Sequence, residues 1–199
     1  MPAVKTHTPD LAARLIDEAG RLLAREGAAA LTLRRLAAAS GTSTMAVYTL
    51  YGDKPGLLRA MYQAGFERLG AALRAAAETH DDPLEALVAL GHAYRDTALA
   101  NPHLYDLMFG AAVPGFVPDE SGKAVADAAY APLVDGVRRC LDAGQFGGTP
   151  AERIALHLWS VSHGMVSLEL AGHLTEADPP AAYVEALVYA GLPFVSAGQ

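Results

Sequence analysis

Apolar positions between residues 32 and 62 recur at intervals of three and four in two short stretches, the spacing of helices with one buried face. The stretches carry Leu33, Leu36 and Ala37, and then Val47 and Tyr51. A glycine turn, Ser40-Gly41, separates them, and Thr32 before the first stretch is a typical helix cap. Ser43 or Thr44 can cap the second stretch, which Gly52-Asp53 ends. This pattern predicts a helix-turn-helix, whose second helix can enter a DNA major groove.

Helical spacing continues through the rest of the chain. Thr8-Pro9-Asp10 is typical of a helix start and Gly27 of a helix end, and Lys54 begins a long helix that reaches about Glu78. Breaks at proline and glycine then predict a helix that carries residues 84–94, further helices at 103–109, 123–143, 150–171 and 180–189, and a loop at 110–122. No stretch alternates with period two, so we predict an all-α chain.

The predicted helices form two domains. We expect residues 1–55 to form an N-terminal three-helix headpiece that contains the helix-turn-helix, and residues 56–199 to form a C-terminal helical domain. The long helix from Lys54 begins in the headpiece and ends in the second domain, which makes it a candidate lever between them.

Charge is divided unevenly between these parts. The 199 residues carry a net charge of -7, which by itself argues against a nucleic-acid partner. Residues 1–62, however, carry 8 basic and 5 acidic side chains, a net charge of +3, and the remainder carries -10. The basic segment coincides with the helix-turn-helix, which is where phosphate binding would need positive charge.

Cysteine and hydropathy limit the class of protein further. The single cysteine, Cys140, excludes an internal disulfide and a cysteine-based zinc module, and it fits a reducing cytoplasm. We expect no signal peptide and no membrane span, because no apolar run is long enough. The histidines lack metal-ligand spacing, so we expect neither a metal nor another cofactor.

The same residues resemble the TetR family of bacterial transcription regulators, through Leu33, Leu36, Ala37, Gly41, Val47, Tyr48, Tyr51, Gly52-Asp53-Lys54 and Leu57-Leu58. The family usually has valine where Thr42 stands, and the threonine methyl fills most of that space. The second domain is similar to the WHG-type subclass, through residues 101–105, Met108-Phe109, Trp159 and His163-Gly164. The resemblance implies a homodimer, an operator-binding headpiece and a ligand pocket.

Carried over by position, the resemblance implies DNA contacts from the recognition helix and from the start of the next helix. Tyr48 and Lys54 are expected to bind phosphates. Because the helix lacks Arg, Asn and Gln, base reading falls to apolar contacts, to DNA shape or to the preceding helix. The candidate residues are Arg34, Arg35, Thr44, Met45, Ala46, Tyr48, Thr49 and Lys54, whereas Val47 and Tyr51 are expected in the core.

Polar and aromatic side chains on the apolar helices of the second domain are candidates for a ligand pocket. They are His92, Tyr105, Met108, Phe109, Tyr130, Trp159 and His163. Each of them alone also fits an ordinary core or surface position. Residues 150–171 and 180–195 are the candidate dimer interface, through Ile154, Leu158, Val161, Met165 and Leu168 and the small residues of the last helix, although the same residues can face the domain's own core.

The sequence therefore predicts a DNA-binding transcriptional regulator: a homodimeric repressor that a small, mainly apolar effector releases from a palindromic operator. A second hypothesis is a DNA-binding protein that is constitutive or controlled by a protein partner. An enzyme is disfavoured, because the sequence shows no paired nucleophile and base. Glu169 and His173 are four residues apart, but we interpret them as a pair on the protein surface.

Overall fold

A computed structural model describes residues 9–110, 112–174 and 178–196. They form nine α-helices and a short 3-10 helix at Leu192–Phe194: α1 Pro9–Ala30, α2 Leu33–Ala39, α3 Thr44–Tyr51, α4 Lys54–Ala77, α5 Pro83–Ala100, α6 Pro102–Met108, α7 Glu120–Asp142, α8 Ala151–Leu170 and α9 Pro179–Gly191. The all-α prediction is confirmed. Among these helices none is both long and apolar enough to cross a membrane.

Local side-chain chemistry sets the boundaries of the N-terminal helices. Thr32 Oγ1 accepts a hydrogen bond from the Arg35 amide at 3.2 Å, and Ser43 Oγ accepts one from the Ala46 amide at 3.1 Å. Ser43 rather than Thr44 therefore caps α3. Gly27, with φ +77°, interrupts α1 where the sequence predicted its end. The cap predicted at Thr8 lies outside the described residues.

The first compact unit groups Met1–Phe66 with Asn101–Val125, as far as these are described. Two glycines bring α6 close to its neighbours. A Cβ at Gly20 of α1 would lie 1.8 Å from His103 Cδ2, and one at Gly65 of α4 would lie 2.5 Å from Met108 Sδ. A larger residue at either position would require the His103 or Met108 side chain to move, so both glycines favour the packing of α6 into the same core as the helix-turn-helix.

The second compact unit comprises Glu67–Ala100 and Ala126–Gln199, as far as these are described. Fully buried Tyr183 of α9 donates its hydroxyl to the Gly91 carbonyl of α5 at 2.9 Å. Arg95 of α5 binds Glu169 of α8 with two hydrogen bonds, one of them 2.8 Å from Nε to Oε2. These contacts fix α5, α8 and α9 around one core. The boundary predicted between residues 55 and 56 stays a prediction.

Candidate nucleic-acid interface and ligand cavity

Helix α3 has one buried side and one exposed side. Ala46 and Val47 are 2% and 0% exposed, whereas Met45 and Tyr48 are 75% and 52% exposed. Thr49 lies beside them, four residues after Met45, and so belongs to the same helix face. The exposed surface of α3 therefore carries a thioether, a phenol and a threonine side chain.

One candidate contact on α3, Ala46, lies on the buried side of the helix and not on its exposed side. The Ser43 cap turns Ala46 inward, so its methyl packs in the core instead of beside Met45. Leu50 and Thr44 are half-buried. Val47 is a core residue, as the sequence predicted.

Hydrogen bonds already engage two hydroxyl groups of α3. Thr49 Oγ1 donates to the Met45 carbonyl at 2.8 Å, so its remaining capacity is to accept. The Tyr51 hydroxyl donates to the Ala12 carbonyl of α1 at 3.2 Å. Burial raises the pKa of Tyr51 to about 12, because it disfavours the phenolate. Tyr51 therefore fastens the recognition helix to α1.

The basic side chains around α3 are mostly bound within the unit. Arg35 forms an ion pair with Glu26, and Lys54 donates to the carbonyl of Ala28, just after the kink in α1. Arg14 donates to the Ser40 carbonyl at 3.2 Å. Arg34 is exposed, and no hydrogen bond or ion pair joins it to the described residues. The sequence does not predict Glu26 as the partner of Arg35. The only signal in the sequence is that Glu26 is an acidic residue next to Gly27, at the predicted end of α1.

The exposed face of α3 and the basic side chains around it fit the two kinds of contact made by a protein in the major groove, those to phosphates and those to bases. Arginine and lysine side chains at its flanks can meet phosphates, and the exposed face of α3 can meet base edges. Arg34 is free for this role in the described structure, whereas Arg35 and Lys54 would have to share or exchange their present partners. The DNA contacts themselves stay predictions.

The second unit contains a cavity of about 200 Å³. Its walls come mainly from α5, α8 and α9 and are apolar. Among the described residues, the polar side chains that line it are His92 and Ser162. His92 is exposed, whereas Ser162 is buried at 7% exposure. The remaining lining residues are Leu84, Leu87, Val88, Gly91, Leu133, Phe146, Leu158, Val184, Leu187, Val188, Gly191, Leu192 and Val195.

Of the residues predicted to bind ligand, His92 is the one that lines this cavity. Tyr130, Trp159 and His163 instead cluster, with ring centroids 5.4 Å apart for Tyr130 and Trp159 and 6.3 Å apart for Trp159 and His163. The Tyr94 hydroxyl lies 3.3 Å from His163 Nδ1. Burial lowers the pKa of His163, which favours the neutral imidazole.

The other three predicted ligand residues belong to the first unit. Tyr105 and Met108 are buried on α6, and Phe109 follows it. The ring centroid of Phe109 lies 4.7 Å from that of Tyr105 and 5.7 Å from that of Phe66 on α4. Tyr105 and Phe109 thus pack with Phe66 of α4 in an aromatic cluster. Tyr105, Met108 and Phe109 are not among the residues that line the cavity. Their role in ligand binding stays a prediction.

Sequence reasoning missed most of the cavity because it searched for polar groups. The walls are aliphatic side chains of α5 and α9, which no pattern separates from ordinary core residues. Ser162 carries a weak signal, as a hydroxyl on the same face of α8 as Leu158 and Val166, which lie four residues before and after it.

An exposed apolar face lies on the last two helices and the 3-10 helix. Its large side chains are between 45% and 62% exposed: Leu156, Leu168, Val188, Tyr189, Leu192 and Val195. Ile154 and Leu158, which the sequence offered for a dimer interface, are buried at 0% and 7% in the unit's own core. A Cβ built on Gly164 of α8 meets no atom within 4 Å. An exposed apolar patch of this kind is typical of an interaction site.

Comparison with protein families gives two matches. A model described as "Tetracyclin repressor-like, C-terminal domain" matches residues 87–190, and one described as "Bacterial regulatory proteins, tetR family" matches residues 15–61. Among curated proteins, none matches the chain.

Several solved structures are similar over nearly the whole chain. A protein of unknown function from Rhodococcus sp. RHA1 is 30% identical, with a TM-score of 0.82 over 98% of this chain and 100% of that one. The TetR family regulator PfmR from Thermus thermophilus is 23% identical, with a TM-score of 0.70 over 94% and 100%. The fatty acid degradation regulator FadR from Bacillus halodurans is 15% identical, with a TM-score of 0.76 over 89% and 96%. The last two share the fold.

Proposed function

The chain belongs to the TetR family of bacterial regulatory proteins, and we propose that it acts there as a homodimeric repressor that a small, mainly apolar effector releases from a palindromic operator. That it is a DNA-binding transcriptional regulator, and not an enzyme, follows from the family. The repression, the effector and the dimer are the proposal.

The cavity of the second unit is the observation that carries the proposal. At about 200 Å³ it is smaller than the roughly 300–1,000 Å³ of sites for drug-sized ligands. An engineered apolar cavity of about 150 Å³ binds benzene. The effector should therefore have an apolar body little larger than one ring, or a short chain.

The polar groups of the cavity define the rest of the effector. Ser162 offers one buried hydroxyl, and His92 offers an imidazole on an exposed side chain. In the part of the chain that the structure describes, no lysine, arginine, aspartate or glutamate lines the cavity. An ionised group placed deep inside would lose its hydration without gaining a partner. The buried part of the effector should thus be uncharged and carry at most one or two hydrogen-bonding groups.

The exposed apolar face of α8 and α9 supports the dimer. Two such faces would pack as a four-helix bundle and remove six large side chains of each copy from water. Two headpieces would then contact half-sites about one helical turn, roughly 34–36 Å, apart. A near-palindromic operator is the expected target.

The first test is selection of random DNA duplexes by the purified full chain. We expect a near-palindromic site whose affinity falls steeply with salt, because phosphate contacts release counterions. A duplex with a single half-site should bind far more weakly. Selection of sites without two-fold symmetry would contradict the dimeric arrangement.

The second test combines this operator with a panel of small apolar compounds, each with one hydrogen-bonding group. We expect at least one of them to lower operator affinity tenfold or more. Gly191→Val should abolish the response while operator binding persists, since a Cβ there points into open space and Gly191 has an ordinary helical φ of -80°. Ala181→Val, an exposed position of the same helix outside the cavity, is the matched control.

The competing hypothesis predicts another result. In a constitutive or protein-partner-controlled DNA-binding protein the cavity is a packing defect. Gly191→Val would then raise thermal stability by filling it, and no compound would change operator affinity.

A further inference from the structure

The recognition helix lacks the side chains that usually read bases. Between Ser40 and Asp53 the chain contains no arginine, lysine, histidine, asparagine, glutamine or glutamate. The bidentate pairs that distinguish guanine or adenine in the major groove therefore cannot come from α3. Any direct base readout by α3 therefore has to come from another group on its exposed face.

Neighbouring cations do not fill this gap in the described structure. The guanidinium of Arg35 is held by Glu26, and the ammonium of Lys54 by the carbonyl of Ala28. Both are better suited to phosphates at the edge of the groove than to base edges, since their partners lie on either side of the kink in α1 and not on α3. Arg34 remains exposed, on the preceding helix α2.

Met45 is the most exposed large apolar side chain of α3. It is 75% exposed at the second position of the helix, and Tyr48, one turn later, is 52% exposed. Thr49 lies on the same face with its hydroxyl proton donated to the Met45 carbonyl, which fixes that side chain next to the methionine. The three side chains form an amphipathic surface whose centre is apolar.

We propose that Met45 is a specificity-determining residue that reads thymine through its C5 methyl group. That methyl is the apolar group that a base pair presents in the major groove, and apolar contact with it is an established form of direct readout. A thioether chain with three rotatable bonds adapts to the position of such a methyl without a strained rotamer. The contact removes apolar surface of both partners from water.

The test removes the methyl group from the DNA. In the operator obtained by selection, deoxyuridine replaces thymine one position at a time, which deletes the C5 methyl and leaves every hydrogen-bonding group. We expect one symmetric pair of positions at which each substitution weakens binding about fourfold, the effect of burying one methyl-sized group. Affinity is measured by fluorescence anisotropy at fixed salt.

The same scan on Met45→Ala assigns the effect to the side chain. The variant should bind the thymine and deoxyuridine duplexes equally at that pair of positions, and its thermal stability should match the wild type, because Met45 is exposed. An equal deoxyuridine penalty in wild type and Met45→Ala, or no penalty at any position, would overturn the proposal.

A methyl rescue separates this readout from DNA shape. Cytosine at the sensitive position should weaken binding by the wild type, and 5-methylcytosine, whose methyl occupies the place of the thymine methyl, should restore part of the affinity. If 5-methylcytosine gives no recovery, hydrogen bonding or duplex shape selects thymine and Met45 does not. The test needs no effector, so its outcome is independent of the proposed release by a ligand.

Discussion

Lys54 shows at the scale of single residues how one charge can serve two acceptors. Its ammonium group has three protons, and one of them is donated to the Ala28 carbonyl. The remaining two can reach a phosphate, as the sequence predicted for this residue. The family resemblance indicates a phosphate as a partner of Lys54. It cannot show the Ala28 carbonyl as a second partner, because α1 and Lys54 come together only in the folded protein.

Replacement of Lys54 separates these two roles. Lys54→Gln keeps a donor for the Ala28 carbonyl and removes the charge. We therefore expect the slope of log affinity against log salt to become shallower by about 1.8, since each of the two headpieces of the dimer loses one phosphate contact, at nearly unchanged stability. Lys54→Met removes both and should also destabilise the protein by about 1 kcal/mol. Operator titrations at several salt concentrations and urea denaturation measure the two effects. An unchanged slope in both variants would leave Lys54 a purely structural residue.

Tyr51 provides a pH-dependent prediction at the same scale. Its folded pKa of about 12 lies above the roughly 10 of an unfolded tyrosine, so the neutral phenol stabilises the fold fully below pH 10. This contribution is lost as the pH rises through 10 toward 12. The stability difference between wild type and Tyr51→Phe, about 1 kcal/mol at pH 8 for one hydrogen bond, should therefore shrink at pH 11. Urea denaturation at both pH values checks this, and a difference independent of pH would contradict it.

At the scale of elements, the sequence predicted most helices because their ends are local. Thr32, Ser43 and Gly52 each form a capping hydrogen bond with a residue three or four positions away. The helix-turn-helix can therefore be predicted from the sequence without knowledge of the tertiary structure. The packing of α6 is different. It depends on Gly20 and Gly65, which are far from α6 in sequence and look like ordinary helix glycines. The sequence pattern places Tyr105 and Phe109 in a ligand pocket but cannot show this packing, and their role in ligand binding stays a prediction.

An ion pair with little solvent exposure links α5 and α8: Arg95 and Glu169 are only 12% and 16% exposed. Glu169→Gln would leave the Arg95 guanidinium with the more distant, solvent-exposed Asp96 carboxylate at 3.8 Å as its counter-charge. We expect a loss of about 3 kcal/mol in the free energy of unfolding. Glu152→Gln, in the pair with Arg138 whose side chains are 63% and 52% exposed, is the matched control and should lose about 0–1 kcal/mol. Equal losses in chemical denaturation would show that burial does not strengthen the first pair.

At the scale of the whole molecule, the exposed face of α8 and α9 makes association testable without unfolding the protein. Gly164 lies on α8, and a side chain there meets open space in the isolated chain. Gly164→Arg should therefore fold normally, dissociate the dimer and weaken binding to the two-half-site operator, whereas Gly164→Ala should preserve both. Sedimentation velocity and circular dichroism measure the two properties. A dimeric Gly164→Arg would place the interface elsewhere.

The cavity and the proposed dimer face share three side chains, Val188, Leu192 and Val195, which both line the cavity and are about half exposed. An effector and a second copy of the chain would thus meet the same atoms, and the two equilibria become linked. Half-saturation by the effector should then shift with protein concentration. The residence time of a bound molecule would follow the lifetime of the dimer, so a regulator built this way would respond to its own abundance as well as to its effector.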